Sequence, residues 1–153
     1  MKKYLKPFVI FIVLMLFYLL PGFLFKAQPQ YYQELIKPNY APPALLFGIV
    51  WPILFILFSI LITKKIVQNS LRLDQVIYLI INYFLIFFFN KLFFIDKNLF
   101  FTLMNTLLSF ISGLFLFISI FKEDKQESLL ILPYLLWTAF ATILMTNIYF
   151  LQA

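Results

Sequence analysis

The chain has 153 residues, of which 64% are hydrophobic, 22% aromatic and only 12% charged. A soluble domain of this length has about a quarter of its residues charged, because water has to wet its surface. The composition therefore excludes an ordinary soluble domain and predicts one all-α membrane domain over residues 1–153.

Two absent residue types exclude several kinds of site. The sequence has no Cys and no His, so disulfides, thiolate or imidazole metal sites and haem ligation by these groups are excluded. We therefore expect no metal and no cofactor. The net charge is +6, but the basic residues flank apolar runs and form no single stripe. That pattern is typical of membrane-helix ends and predicts no nucleic-acid partner.

Five apolar runs follow one another along the chain, each close to the length of about 20 residues that crosses a bilayer. The predicted helices cover about 6–26, 43–66, 74–95, 98–121 and 128–151. We interpret the first as a retained helix, because Phe25-Lys26-Ala27 lacks the small residues of a signal-peptide cleavage site. No run shows the alternation of a barrel strand. The sequence predicts a five-transmembrane-helix bundle.

The connections between the runs differ in length. AQPQYYQELIKPNYAPP (27–43) is the only long one, and its middle, 31–36, predicts one short helical turn. The other connections are short, which makes sequential helices antiparallel neighbours. Five crossings place the two termini on opposite sides of the membrane.

Basic residues are distributed unequally between the two sides. The N-terminal side carries Lys2, Lys3, Lys6, Lys64, Lys65, Arg72, Lys122 and Lys125, and the other side carries Lys26, Lys37, Lys91 and Lys97. Because positive residues favour the cytoplasmic side, this pattern favours a cytoplasmic N-terminus.

Acidic residues all fall in connections or at helix ends, where we expect them to be solvated. They are Glu34, Asp74, Asp96, Glu123, Asp124 and Glu127. Ion-coupled pumps normally carry an ionisable group within a span, and general acid–base catalysis needs positioned titratable groups. The pattern therefore argues against both.

Uncharged polar residues recur inside the predicted helices. The fourth helix carries Thr102, Asn105, Ser109 and Ser112 at three- and four-residue steps. They share one face, which should turn inward either to hydrogen-bond another helix, the favoured interpretation, or to line a cavity. Asn82 lies on one side of the third helix together with Ile86 and Phe89. A single Asn is more often an interhelical contact than a ligand contact.

The two tryptophans permit two interpretations. Trp favours the membrane interface, where its N–H stays hydrated, so interfacial anchoring is the favoured interpretation for both. Alternatively, both indoles face an internal pocket, with Gly48 and Phe55 near Trp51 and Ala141 one turn beyond Trp137. Small residues one turn from a large ring leave room for a planar ligand.

Three segments resemble one known family. KPNYAPPALLFGIVWPILF (Lys37–Phe55) and PYLLWTAFATILMTN (Pro133–Asn147) resemble the second- and fifth-helix signatures of the tryptophan-rich sensory protein/translocator protein family. This family is also called the peripheral benzodiazepine receptor or TspO/MBR family. INYFLIFFFNKLFFIDKNLF resembles its third helix and the turn that follows. The resemblance extends over nearly the whole chain.

The resemblance implies a five-helix bundle, often a homodimer, in which the first loop, 27–42, caps a pocket. The family binds porphyrins and synthetic aromatic drugs, and animal members bind cholesterol. Some bacterial members promote light-dependent protoporphyrin breakdown, in which tryptophans like Trp51 and Trp137 are implicated. By position, the resemblance assigns a ligand-binding pocket to Tyr32, Pro43, Trp51, Phe55, Asn82, Phe89, Trp137 and Ala141.

The sequence departs from the family pattern at positions that bear on the ligand. Ile86 stands where the family commonly has Asn, and Phe89 where it often has Trp, so we expect a drier and narrower pocket. The chain ends after Tyr149 without the Lys or Arg of the family's sterol motif, so we expect no sterol binding by that route. Without His or Cys, metal-free porphyrin is a better candidate than haem.

The leading hypothesis is a multi-pass receptor or sensor in a bacterial cell membrane, in contact with lipid, that binds porphyrin-like planar molecules. One alternative is a light- and oxygen-dependent protoporphyrin-degrading enzyme that uses Trp51 or Trp137. A tetrapyrrole transporter and a structural partner protein are the others. Lys37 either meets a ligand carboxylate or anchors the loop at the membrane interface, the second being favoured.

Overall fold

The fold is a bundle of five long helices with two short helices between them. The computed structural model describes residues 2–152, with side chains from residue 4 onward. The long helices in this part are α1 (Lys2–Leu24), α3 (Ala44–Val67), α4 (Leu73–Asn90), α5 (Leu99–Phe121) and α7 (Leu132–Gln152). The short helices are α2 (Pro29–Glu34) and α6 (Lys125–Ser128). All five long helices are long and apolar enough to cross a membrane, so the predicted fold class is confirmed.

Short polar side chains mark where two of the helices, α5 and α6, begin. The Asn98 side chain accepts a hydrogen bond of 3.0 Å from the Phe101 N–H at the start of α5. Asp124 accepts hydrogen bonds from the N–H groups of Gln126 and Glu127 at the start of α6. These bonds satisfy amide groups that have no partner within the helix. The starting positions of α5 and α6 are therefore fixed by local sequence.

Helix α5 packs closely against α4 on one side and α7 on the other. A Cβ at Gly113 of α5 would lie 2.9 Å from the Tyr134 ring of α7, so only glycine permits this approach. The Asn105 amide of α5 donates to the Leu85 carbonyl of α4 at 3.0 Å. The inward orientation predicted for the polar face of α5 is confirmed, since Thr102, Asn105, Ser109 and Ser112 are all buried.

A cluster of ion pairs closes one end of the bundle, and we call it the ion cluster. Its members are Lys64, Lys65, Arg72, Gln75, Glu123 and Glu127. The Lys65 ammonium lies 3.1 Å from a Glu123 carboxylate oxygen and 3.2 Å from a Glu127 carboxylate oxygen. The cluster therefore joins the end of α3 to the start of α4, to α6 and to the residues that follow α5.

Burial in the ion cluster overturns one expectation from the sequence. Glu127 was expected to be solvated, but it is only 5% exposed and Lys65 only 2%. The reason is that α6 folds back toward the end of α3. Burial alone would raise the pKa of Glu123, but hydrogen bonds from Gln75 and Lys65 outweigh that effect and hold the pKa below its ordinary value.

A single π-helical turn, Lys91–Ile95, interrupts the regular helix after α4. Turns of this kind are wider than an α-helical turn and often occur at functional sites. Phe93 within it is 4% exposed and packs against Tyr31 and Tyr32, with ring centroids 5.4 and 6.4 Å apart. This turn lies at the end of the bundle opposite the ion cluster.

Residues 27–43 form a lid over that opposite end, and α2 lies within it. The Lys37 ammonium donates to the carbonyl oxygens of Tyr32, Gln33 and Leu35 at 2.7–2.9 Å. These bonds satisfy carbonyls at the C-terminal end of α2. The structure therefore gives Lys37 a role within the lid itself.

Hydrogen bonds also hold the lid to itself and to the end of α7. The Asn147 amide donates to the Tyr40 hydroxyl and the Gln152 amide to the Ile36 carbonyl, both at 2.9 Å. Inside the lid, the Tyr32 hydroxyl donates to the Pro42 carbonyl at 2.9 Å. Burial raises the pKa of Tyr32 to about 12, so this hydroxyl keeps its proton at neutral pH.

The ion cluster gives a prediction about stability. We expect Lys65→Met to lower the free energy of unfolding by about 3 kcal/mol, because it leaves buried carboxylate charge with fewer partners. Denaturant unfolding in detergent micelles measures this difference. Lys122→Met is the control, since Lys122 is exposed at the end of α5 and its loss should cost less than about 0.5 kcal/mol. Equal stability of the two variants would show that the cluster contributes little.

The lid gives a second prediction. We expect Tyr32→Phe to raise amide hydrogen exchange in residues 29–43 about fivefold, because the Pro42 carbonyl loses a hydrogen bond worth about 1 kcal/mol. Tyr31→Phe is the matched control, since within the residues described with side chains, 4–152, the Tyr31 hydroxyl makes no hydrogen bond. Hydrogen-exchange mass spectrometry reports both variants, and the same exchange rate in both contradicts the proposed role of the Tyr32 hydroxyl.

Candidate functional site

A cavity of about 710 Å³ lies beneath the lid. Its wall comes from α1, the lid, α3, α4, the π-helical turn and α7, whereas α5 contributes no residue to it. Ligand pockets in proteins typically measure about 300–1,000 Å³. The cavity is therefore large enough for a small organic molecule.

The wall is almost entirely apolar. Among the described residues that line it, none carries a formal charge. Its polar side chains are Tyr18, Tyr32, Gln33 and Asn90. Two of these already have partners, because Tyr32 donates to the lid and the Asn90 amide donates to the Phe25 carbonyl at 3.1 Å. A bound molecule would find mainly hydrocarbon and aromatic surface.

Aromatic rings form one continuous part of this wall. The Trp51 ring centroid lies 5.8 Å from that of Phe55 and 6.1 Å from that of Phe89. Phe89 in turn stacks on Phe93 at 5.8 Å with an angle of 25° between the planes. Aromatic faces at these separations suit contact with another planar ring system.

Most of the residues that the sequence assigned to the pocket meet in this wall. Tyr32 and Pro43 come from the lid, Trp51 and Phe55 from α3, Phe89 from α4 and Ala141 from α7. The outermost two, Tyr32 and Ala141, lie about 110 positions apart in the sequence. The antiparallel packing of the helices brings all six together. The structure thus brings these six side chains to one cavity.

Two assigned residues lie outside the wall. Asn82 is fully buried below the cavity, where its amide donates to the Ser112 hydroxyl of α5 at 2.6 Å. Trp137 packs behind Phe47, with ring centroids 5.5 Å apart, and its indole N–H is buried without a hydrogen-bond partner among the described residues. Asn82 therefore has the interhelical role that the sequence allowed, and Trp137 supports the cavity through Phe47.

The two departures from the family pattern both face the cavity. Ile86 is 6% exposed and contributes hydrocarbon to the wall, and Phe89 contributes a ring. The polar side chain that lines the cavity nearest to Phe89 in the sequence is Asn90, and its amide nitrogen already donates to the Phe25 carbonyl. This arrangement agrees with the prediction that few polar groups line this part of the cavity.

Several lining residues escaped the sequence analysis. They include Tyr18, Gly22, Phe47, Asn90, Phe93, Leu144 and Met145. Leu144 and Met145 could have been found, because they follow Ala141 by three and four residues and share its helical face. Phe93 could not, because its direction depends on the π-helical turn, for which the sequence carries no clear signal.

The arrangement defines what chemistry the site can perform. Within the described part of the chain no group of three metal-ligating side chains occurs, and the cavity wall holds no carboxylate or amine. General acid–base catalysis inside the cavity therefore has only tyrosine hydroxyls to draw on. The wall is suited to binding a planar apolar molecule against Trp51.

Comparison with known proteins agrees with this architecture. The sequence profile of the TspO/MBR family matches residues 8–151. The "Uncharacterized membrane protein YtaB" of Bacillus subtilis is 34% identical over 146 residues, which cover 94% of each chain. The "Tryptophan-rich protein TspO" of Bacillus cereus is 32% identical over 145 residues and 92% of each chain. A protein of the same name from Chlorobaculum tepidum is 30% identical over 118 residues and 74% of each chain. The chain therefore belongs to the TspO/MBR family of integral membrane proteins.

Proposed function

We propose that this protein is a membrane receptor or sensor that binds a porphyrin-like, planar apolar molecule in the cavity beneath the lid. The observation that carries the proposal is the uncharged cavity of about 710 Å³ with Trp51, Phe55 and Phe89 in its wall. Each Å² of apolar ligand surface removed from water contributes about 25 cal/mol. A flat tetrapyrrole ring gains from this burial and from stacking on the aromatic wall.

The charged edge of such a ligand constrains how it enters. Burying a carboxylate without a partner costs several kcal/mol, and the interior of the cavity offers no cation. The Lys37 ammonium is already shared among three lid carbonyls. Lys26 is exposed and adjacent to Ala27 of the cavity wall. We therefore place the ring inside the cavity and its acid groups at the edge of the lid near Lys26.

The distribution of exposed cations supports a cytoplasmic N-terminus. At the end that carries the ion cluster, Lys6, Lys64, Lys122 and Lys125 are exposed. At the lid end, Lys26 and Lys97 are exposed, whereas Lys37 and Lys91 are partly buried and Lys91 is paired with Asp96 at 2.6 Å. Among the residues described with side chains, exposed lysines therefore number four at the ion-cluster end and two at the lid end. Because an excess of basic residues marks the cytoplasmic side, the lid is proposed to face the opposite side of a bacterial cell membrane.

Filling the cavity tests the proposed binding. A Cβ at Gly48 meets no atom within 4 Å, so Gly48→Phe can place a ring in the cavity with little effect on helix packing. We expect this variant to weaken binding of protoporphyrin about tenfold or more, a loss of about 1.4 kcal/mol. Saturable quenching of porphyrin fluorescence in detergent micelles measures the dissociation constant.

The neighbouring position supplies the control. Ile49 is 50% exposed on the lipid side of α3 and does not line the cavity, so Ile49→Phe adds a similar ring outside. Its affinity for protoporphyrin should equal that of the unchanged protein. If Gly48→Phe also binds normally, the ligand does not occupy this cavity and the proposal fails.

A second candidate function is light- and oxygen-dependent degradation of the bound porphyrin. The specific support is that Trp51, an oxidisable ring, lies in the cavity wall 6.5 Å from the Tyr134 ring by centroid distance. Trp137 is separated from the cavity by Phe47, which makes it the less suitable electron donor. The transport alternative has less support, since the ion cluster closes the end of the bundle opposite the cavity.

Illumination in air discriminates degradation from binding alone. If Trp51 takes part, Trp51→Phe should slow the loss of the porphyrin Soret band at equal ligand occupancy, whereas Trp137→Phe should change it less. Absorption spectra recorded during illumination give both rates. Equal bleaching in the two variants and in the unchanged protein would exclude a role of Trp51 or Trp137 in degradation, and bleaching no faster than that of porphyrin in empty micelles would exclude the enzymatic function.

A further inference from the structure

A second depression lies on the outer surface of the bundle, between α1 and α3. It has a volume of about 500 Å³ and shares no residue with the cavity beneath the lid. We call it the α1–α3 groove. Its lining residues are Pro7, Phe8 and Phe11 from α1, and Ile60, Thr63, Lys64, Val67 and Gln68 from α3 and its C-terminal end.

The groove exists because α1 and α3 meet closely near only one end. Tyr18 of α1 contacts Phe55 and Phe58 of α3, with ring centroids 5.4 and 5.8 Å apart. Phe11 precedes Tyr18 by seven residues, which corresponds to about 10 Å along the helix axis. At that level the two helices leave a gap toward the ion-cluster end of the bundle. Phe8 there is 63% exposed and Ile60 42% exposed.

The bilayer determines what can occupy this gap. Both walls belong to helices that span the membrane, and their facing surface is phenyl and branched aliphatic. Within the hydrocarbon layer the surrounding solvent is lipid tails, and an unfilled groove would lose dispersion contacts along its length. An acyl chain is the occupant whose chemistry matches these walls.

Positive charge at one end of the groove favours lipids with an anionic headgroup. The Lys64 ammonium lies at this end, is 45% exposed, and uses one contact of 3.0 Å to Glu127. An ammonium has three N–H donors, so it can also bind a phosphate. The Gln68 amide lines the same end, and exposed Lys6 directly precedes Pro7. Basic side chains between helix ends at the membrane surface favour anionic headgroups.

We propose that the α1–α3 groove binds one anionic phospholipid of the leaflet at the ion-cluster end. The acyl chain lies between Phe11 and Ile60, and the headgroup phosphate meets Lys64 and Lys6. This site is independent of the proposed porphyrin function, because the two cavities have no wall in common.

Native mass spectrometry tests the proposal with phosphatidylglycerol and phosphatidylcholine of identical acyl chains. The unchanged protein should retain phosphatidylglycerol in preference to phosphatidylcholine. Ile60→Trp fills the groove without a change of charge and should abolish retention of phosphatidylglycerol. Ile56→Trp is the matched control, because Ile56 lies one turn away on α3, is 40% exposed and does not line the groove.

The headgroup contact is tested separately. Lys64→Gln should remove the preference for phosphatidylglycerol, whereas Lys125→Gln, at an exposed position on α6, should leave it intact. A thermal unfolding curve confirms that each variant is folded, which is expected for Lys64→Gln because Lys65 still pairs with Glu127. Equal retention of the two lipids by the unchanged protein, or equal effects of Ile60→Trp and Ile56→Trp, overturns the proposal.

Discussion

The hydrogen bond between Asn82 and Ser112 joins α4 to α5 at 2.6 Å in the centre of the bundle. In a membrane the alternative for these groups is an unsatisfied polar atom in hydrocarbon, so such contacts fix which helix faces meet. Gly113, the residue next to Ser112, permits the close approach of α5 to the Tyr134 ring of α7. With α5 held between α4 and α7, the remaining space lies among α1, α3, α4 and α7 beneath the lid. The position of the cavity follows from this packing.

The two ends of the bundle are held by different kinds of interaction. At one end, Lys65 and Glu127 form a buried ion pair that is supported on both sides by further charges. At the other end, the lid is held by neutral hydrogen bonds and by Lys37 bound to backbone carbonyls. Individual bonds of the second kind contribute about 1 kcal/mol each. Local opening of the lid is therefore expected to cost less than separation of the helices at the ion cluster, which is consistent with the ligand binding proposed above.

Much of this architecture could be predicted from the sequence, because lengths of apolar runs and the three- and four-residue spacing of polar residues are local signals. These local signals predicted the five helices and the face of α5 that turns inward. Burial of Glu127 could not be predicted, since it depends on α6 folding back onto α3. The direction of Phe93 likewise depends on a π-helical turn, and the position of Trp137 behind Phe47 depends on how α3 and α7 are rotated. Tertiary packing decided each of these.

Closure by the ion cluster makes the cavity blind-ended. Trp51 faces the cavity beneath the lid, whereas the paired charges around Lys65 obstruct the bundle axis at the other end. If the cavity binds a ligand as proposed, that ligand enters from the lid side or from the membrane, because the ion cluster lies between the cavity and the other side. The two faces of the bundle are therefore not equivalent, in contrast to those of a symmetric pore.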